Sequence, residues 1–548
     1  MLVIDPSSPD HHFIFYCSHH ACDAAKPDNA QFKAGEGYFF QSYNAAVIFA
    51  DPIHKLPGLF AGFKIGICCC YRQKKCINGN NNFLIPGTIF SLLQKTLVIS
   101  GLPIIFISQE NTFKMIALNS TKRSMRTLLS ILLCSLSLQQ AFADSGKLMA
   151  GTGKINITPK TDQKIHDSVY ARSLVLEVQG QRLAFVSLDL PIFTSDRVVE
   201  ACKRQFNIAR VILSSSHNHS APMVDNKINV SESSPFQPYY EAQIIKVVGE
   251  AVANMLPAKI AAGKSTFPQL GFNRLIVRED GKARESWIAD DHYRRENPER
   301  IPFGPVDPEL GVLKITDLAN NPKAIVMNYA MHADIVCFNY EVSADYPGVA
   351  SRKVEASFGD KVTCLFVNGG GGNVESLMIS PRKSGPDDTS TKTDYAPMER
   401  TGELLAWEVT KLARNISMPA TGETDIRYKV DSLKFTGRYD SKRIFNVHLI
   451  TMLINNNISV AVCPGEMFVQ FQLDWKDKMK LAGVNGFMFG YSWSGGKWPG
   501  YIPDVRSAAL GGYGADGDNL IQVGAGEQIV TKHLENYYKL TGLIRSSL

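Results

Sequence analysis

One recurrence restricts this chain more than anything else in it. Short apolar runs stop abruptly in loops that carry histidine, a glycine cluster, glutamate or tyrosine. Residues 210–213 run into Ser214-Ser215-Ser216-His217-Asn218-His219-Ser220-Ala221-Pro222, and residues 324–330 run into Met331-His332-Ala333-Asp334. Residues 362–367 empty into Asn368-Gly369-Gly370-Gly371-Gly372-Asn373, residues 458–463 into Pro464-Gly465-Glu466, and residues 487–491 into a loop rich in glycine and tryptophan that reaches Tyr501. Helix patterns fall between these runs. Residues 195–206 place Val198, Val199 and Cys202 on one face behind a serine cap, and 239–255, 397–415 and a stretch ending near Ala482 also read as helices. Strand, helix and strand in succession, with polar loops at the carboxyl ends of strands, is the α/β habit. The expected fold is therefore mixed α/β, with a central β-sheet core flanked by helices and active-site loops at the strand ends. No internal repeat is visible in the sequence.

His217 and His219 lie one residue apart after a strand, so an extended backbone projects both to the same side. That arrangement suits a metal ion, and it equally suits a polar loop whose imidazoles bond to backbone carbonyls. The glycine cluster lets backbone amides approach a ligand closely. Glu466 reads as the first turn of a helix, where a negative charge is favourable for structural reasons alone.

Composition narrows the partners. The chain has 548 residues, 45% hydrophobic and 20% charged, and a net charge of +6 with no long Lys/Arg block, which argues against nucleic acid. The front of the chain differs from the rest. Residues 1–124 show no settled period, and residues 96–109 are too short to span a bilayer and contain Pro103. Lys122, Arg123 and Arg126 then precede an apolar run over 128–138 and Ala141-Phe142-Ala143, the order of a signal peptide. This predicts a signal peptide at 125–143, a mis-extended or disordered region over 1–124, a mature domain over 144–548, and a secreted or periplasmic protein. A membrane-anchored N-terminal region is the other reading. Of 11 cysteines, only Cys202, Cys337, Cys364 and Cys463 fall in the mature part, in apolar surroundings that predict buried free thiols.

Taken in order, several motifs resemble the catalytic domain of the neutral/alkaline non-lysosomal ceramidases. They are Ala150-Gly151-Thr152-Gly153-Lys154 with Ile157-Thr158-Pro159, the Ser216 to Pro222 segment, Gly304-Pro305-Val306-Asp307-Pro308-Glu309, Ser343 to Gly348, Pro464-Gly465-Glu466 and Gly500-Tyr501-Ile502-Pro503. The likeness extends from about Gly151 to Gly514. It implies a zinc amidase that cleaves the amide of ceramide, or another N-acyl lipid, to sphingosine and a fatty acid, with transient contact at a membrane surface. It further implies one Zn2+ per chain held by His217, His332, Glu466 and Tyr501. Catalytic roles fall to His219, to Arg274 facing the substrate carbonyl, and to Tyr513. Two imidazoles and a carboxylate are usual zinc ligands that leave positions open, whereas the phenol ligand rests on the resemblance alone.

Asp345 is expected either to orient a ligand imidazole or to cap the helix that begins near Pro347. Phe193, Phe272, Trp287, Trp493 and Trp498 are candidates for an apolar substrate groove. Two departures from the family stand out. Glu375 occupies the family's serine position in Gly372-Asn373-Val374-Glu375-Ser376-Leu377, and too little chain follows Gly514 for the immunoglobulin-like C-terminal domain of longer members. The remaining alternatives are a zinc amidase or esterase for a different acylated substrate, an inactive secreted binding protein, and a serine hydrolase built on Ser216 or Ser220. The last lacks a Gly-x-Ser-x-Gly elbow.

Overall fold

The computed structural model describes residues 146–221, 236–267, 270–285, 301, 304–337, 339–516 and 521–544, together with the backbone of five short strands before residue 117. The chain divides into two compact units, Met1–Asn119 and Ser120–Leu548. In the first, Lys95–Ile99, Leu102–Gln109 and Thr112–Ile116 form an antiparallel sheet, and Leu2–Ile4 pairs with Phe13–Phe15. The expected signal peptide at 125–143 and Trp287 lie outside the described residues. No described helix is long and apolar enough to cross a membrane.

The second unit uses one pattern three times. Strands β1 (Met149–Asn156), β2 (Tyr170–Val178) and β3 (Gln181–Leu188) form an antiparallel meander, helix α1 (Asp196–Phe206) crosses over, and β4 (Ile208–Ser215) returns parallel to β3. After helix α2 (Gln237–Ala253), the pattern recurs as β5 (Leu256–Thr266), β6 (Glu309–Asp317), β7 (Pro322–Tyr329), α3 (Asp345–Ser357) and β8 (Thr363–Asn368), with β7 and β8 parallel. Helix α4 (Ala396–Asn415) then leads to β9 (Ile426–Thr436), β10 (Ile444–Ile454), β11 (Ile458–Val462), α5 (Val469–Leu481) and β12 (Asn485–Phe489), with β11 and β12 parallel.

The first two repeats join through β1 and β5, and the short β13 (Ser492–Trp493) pairs with β4, giving a nine-stranded sheet ordered β8-β7-β6-β5-β1-β2-β3-β4-β13. The third repeat is a separate four-stranded sheet. The two sheets pack through Leu174, Phe185, Leu313 and Val326 on one side and Met452, Val460, Phe487 and Phe489 on the other. Helices cover the outer faces. Helices α1 and α2 pack through Val198, Cys202, Ile244 and Val247, and α3 and α4 through Val349, Val354, Leu405 and Val409. The four-stranded sheet is covered by α5 with Phe471 and Trp475 and by α6 (Ala525–Leu540) with Ile529 and Tyr537.

Local signals account for several elements. The Ser195 hydroxyl accepts the Val198 amide at 3.2 Å and caps α1, as its sequence predicts, and Asn207 ends that helix at a φ of 53°. The four expected thiols are buried and free. Sequence reading did not find β5, because Pro257 marks a break. The proline is tolerated at the strand's start, where it pairs with the terminal residue Met149. Glu466 does not begin a helix. Helix α5 starts at Val469, and Glu466–Met467 instead form a short parallel pairing with Tyr501–Ile502. Phe193, Phe272 and Trp493 are buried in the packed interior, so these three do not line an open groove, whereas Trp498 is half-buried.

The repeat positions the site. In each copy the third and fourth strands run parallel, so their carboxyl ends lie side by side, and backbone hydrogen bonds stitch the three pairs of ends together. His219 N donates to Ala333 O at 3.0 Å, Gly372 N to Met467 O at 2.9 Å, and Ser215 N to Tyr491 O at 3.1 Å.

Candidate metal centre

His217 follows β4 with a φ of 63°, a conformation uncommon outside glycine. Its amide donates to Leu190 O at 3.1 Å and its Nδ1 donates to Pro191 O at 2.9 Å. His332 is fixed in the same way by the loop after β8, its amide donating to Val374 O at 2.9 Å and its Nδ1 to Gly371 O at 2.8 Å. A carbonyl can only accept, so both Nδ1 atoms carry a proton, and in the neutral rings both Nε2 atoms keep their lone pairs. Those lone pairs meet one carboxylate oxygen, Glu466 Oε2, which lies 3.2 Å from His217 Nε2 and 3.3 Å from His332 Nε2.

Nothing among the described residues supplies a hydrogen-bond donor to Glu466 Oε2, and His332 Nε2 is likewise buried without a partner. Burial of two such groups side by side is unfavourable unless something positive joins them. The electrostatics point the same way. Despite burial, His217 and His332 hold the Glu466 carboxyl well below its ordinary value. Burial lowers the His332 pKa, and burial followed by His217 and His332 lowers that of His219 further. His217 is raised, because Glu466 outweighs the burial that opposes its charging. A carboxylate among mostly neutral imidazoles fits a divalent cation such as zinc.

His219 joins the cluster from the same loop. Its ring lies 4.8 Å from that of His217, its Nδ1 is 3.7 Å from Cys337 Sγ, and its Nε2 is buried without a partner. The ligand atoms of His217, His219 and His332 all lie within 4.8 Å of one another, so this group could hold a metal ion. Two donor sets thus overlap, one of three imidazoles and one of two imidazoles with Glu466. The carboxylate oxygen sits closer to both shared nitrogens than that spread requires.

The other expected residues gather around this point. Tyr501 stands beside Glu466 in the short pairing, and its hydroxyl accepts from Arg274 Nη2 at 3.0 Å. The buried Arg274 also donates to Gly372 O at 2.9 Å and to the Glu375 carboxylate, and its guanidinium lies 4.7 Å above the Tyr513 ring. Tyr513 is exposed, with its ring 5.6 Å from that of Tyr501. Asp345 takes neither expected role. Ala344 occupies the cap position of α3, Asp345 Oδ2 accepts from Val336 N at 3.1 Å, and backbone carbonyls orient the imidazoles instead. Sequence reading overlooked Tyr491, a buried residue whose ring lies 4.7 Å from that of His217. Its place at the end of a strand that delivers a site loop was the available signal.

Residues 148–398 match the family described as neutral/alkaline non-lysosomal ceramidase, N-terminal. Among solved structures, neutral ceramidase from Pseudomonas aeruginosa is similar at 15% identity and a TM-score of 0.55, with 74% of this chain and 76% of that chain covered. A structure of a ceramidase complexed with C2 is similar at 14% identity, with the same coverage and TM-score. At such identities the likeness is one of fold. No curated protein matches the sequence. The family match stops within α4, so the third repeat, source of Glu466 and Tyr501, is linked to these proteins by fold alone. The match to the neutral/alkaline non-lysosomal ceramidase family is thus confined to residues 148–398, a little under half of the chain.

Proposed function

We propose that the protein is a secreted or periplasmic zinc-dependent amidohydrolase that cleaves the N-acyl amide of ceramide to sphingosine and a fatty acid. The observation that carries this reading is the meeting of His217 Nε2, His332 Nε2 and Glu466 Oε2, with both Nδ1 protons already committed to carbonyls. His217, His332, Glu466 and Tyr501 would hold one zinc ion. When bound, zinc would polarise the acyl carbonyl and make water a stronger nucleophile near neutral pH.

The surrounding residues carry the rest of the chemistry. Arg274 is held in place by Glu375, Gly372 O and Tyr501, so its positive charge is fixed in advance and would stabilise negative charge developing on the acyl oxygen. Tyr513, packed beneath the Arg274 guanidinium, completes that side of the site. His219 is kept neutral by burial and by its imidazole neighbours, and its unpartnered Nε2 can accept a proton and return it to the leaving amine.

A second reading, an amidase for a different acylated molecule, is supported by two observations. Phe193, Phe272 and Trp493 are committed to the interior, and Glu375 engages Arg274 at the family's serine position. The test is metal analysis of the full-length chain combined with turnover of a short-acyl and a long-acyl ceramide. One zinc per chain with EDTA-sensitive release of sphingosine is expected. Zinc without ceramide turnover would favour the second reading, and turnover that survives metal removal would sink both.

A further inference from the structure

Tyr491 closes the ring of strand ends. Its amide donates to Gly465 O at 3.1 Å and its carbonyl accepts from Ser215 N at 3.1 Å, so it ties the turn before Glu466 to the strand before His217. Its φ of 51° lies in the left-handed region, which a bulky aromatic residue rarely adopts. Strain of this kind persists where surrounding structure enforces it, often at functional sites.

The side chain shows a second unfavourable feature. Its ring is fully buried, 4.7 Å from the His217 ring and 6.1 Å from the His332 ring, and its hydroxyl is buried without a hydrogen-bond partner among the described residues. Buried tyrosine hydroxyls normally find one. Phenylalanine would fill the same space without a desolvated hydroxyl, so packing explains the ring and leaves the oxygen unexplained. Its ring stands against both imidazoles that the candidate centre shares. Tyr501 differs from it, since the Tyr501 hydroxyl is already engaged by Arg274.

We propose that Tyr491 is a catalytic hydrogen-bond donor whose hydroxyl awaits the acyl oxygen of the substrate as it enters beside His217 and His332. The inference rests on the metallohydrolase reading above and adds to it a residue that is neither ligand nor proton carrier. No bond to Tyr491 forms or breaks, and its proton stays on the phenol throughout.

The test is Tyr491→Phe in the full-length, zinc-loaded chain, compared with wild type for zinc content, melting temperature, affinity for acetohydroxamate, and kcat and KM on a short-acyl ceramide. Zinc content and melting temperature should hold, acetohydroxamate should bind about tenfold more weakly, and kcat should fall by about 10²-fold with KM little changed. A variant that binds acetohydroxamate and turns over as the wild type does overturns the proposal. So does one that loses its zinc, since Tyr491 would then be a ligand. If wild type binds acetohydroxamate but leaves ceramide intact, the substrate reading fails, and the comparison of acetohydroxamate affinities still decides the role of Tyr491.

Discussion

The carbonyl oxygen of Glu466 occupies the place where a side chain at Gly372 would begin, for a Cβ there would stand 2.4 Å from it. That approach lets one loop serve three partners. Gly371 O holds His332 Nδ1, Gly372 O holds Arg274 Nη2, and Gly372 N reaches Met467 O. Gly372→Ala should therefore push the loop away from Glu466, lowering stability by ~1–3 kcal/mol, the usual range for overpacking, and reducing zinc retention. Urea denaturation and metal analysis check this. A variant with wild-type values in both would mean that the loop and the Glu466 strand can separate without consequence.

Glu375 and Arg274 form a buried ion pair beside the centre, and Phe272 of the short strand Gly271–Asn273 faces Glu375 in the pairing with Val374–Ser376. Removing one partner of such a pair leaves a desolvated charge behind, which costs roughly 3–5 kcal/mol. Glu375→Ala should destabilise by that order, and Arg274→Met, Glu375→Met together should recover much of the loss. The family's serine is thus not a neutral replacement here. Chemical denaturation of the single and double variants tests the coupling, and equal, additive losses would show that the two side chains act independently.

Much of this architecture was legible because the elements that deliver the site are buried parallel strands, and those read as continuous apolar runs ending at a polar residue. His217, His332 and Glu466 could each be placed at a strand end on that basis. The threefold repeat could not be read, since its copies share strand order and pairing while strand length, burial and loop size differ among them. The 263–305 stretch resembled one long polar connection because β5 mixes half-buried positions with Gly263 and Lys264, and the three-residue strand Gly271–Asn273 is too short to show a period. Tyr501 as a ligand came from the family likeness. Tyr491 was hidden because an aromatic residue at the end of an apolar run reads as core, which its ring is.

His533 gives a pH test at a residue outside the candidate metal-ligand set. It is fully buried between Thr451 Oγ1 at 2.8 Å and Cys463 Sγ at 3.3 Å, and burial pushes its pKa down from 6.5 to about 3. The unfolded chain therefore takes up a proton as pH falls below about 6.5, and the folded chain refuses it until about 3. Between those values the native state loses stability with acidification, at up to ~1.4 kcal/mol per pH unit for one proton. His533→Gln keeps a polar group at both contacts and removes the titration. Its unfolding free energy should fall less steeply than that of wild type between pH 6 and pH 4, and identical slopes would rule His533 out as a source of acid sensitivity.

Glu466 supplies the sharpest test of the centre itself. With both Nδ1 atoms bonded to carbonyls, the Nε2 lone pairs of two neutral imidazoles and one carboxylate oxygen face one another in a buried space. A cation that binds there, and not to the unfolded chain, adds stability in proportion to the logarithm of its concentration over Kd, about 2.7 kcal/mol at a hundredfold excess. EDTA should lower the melting temperature of the wild type, and added zinc should restore it. Glu466→Gln preserves the size of the side chain but removes the charge that complements the cation, so its melting temperature should respond far less to either reagent. His217→Ala and His332→Ala should behave alike, because each removes one of the two nitrogens that flank the same oxygen. A wild-type chain whose melting temperature ignores both EDTA and zinc would refute the metal site. A zinc response that disappears on His219→Ala but survives Glu466→Gln would instead assign the ion to the three imidazoles.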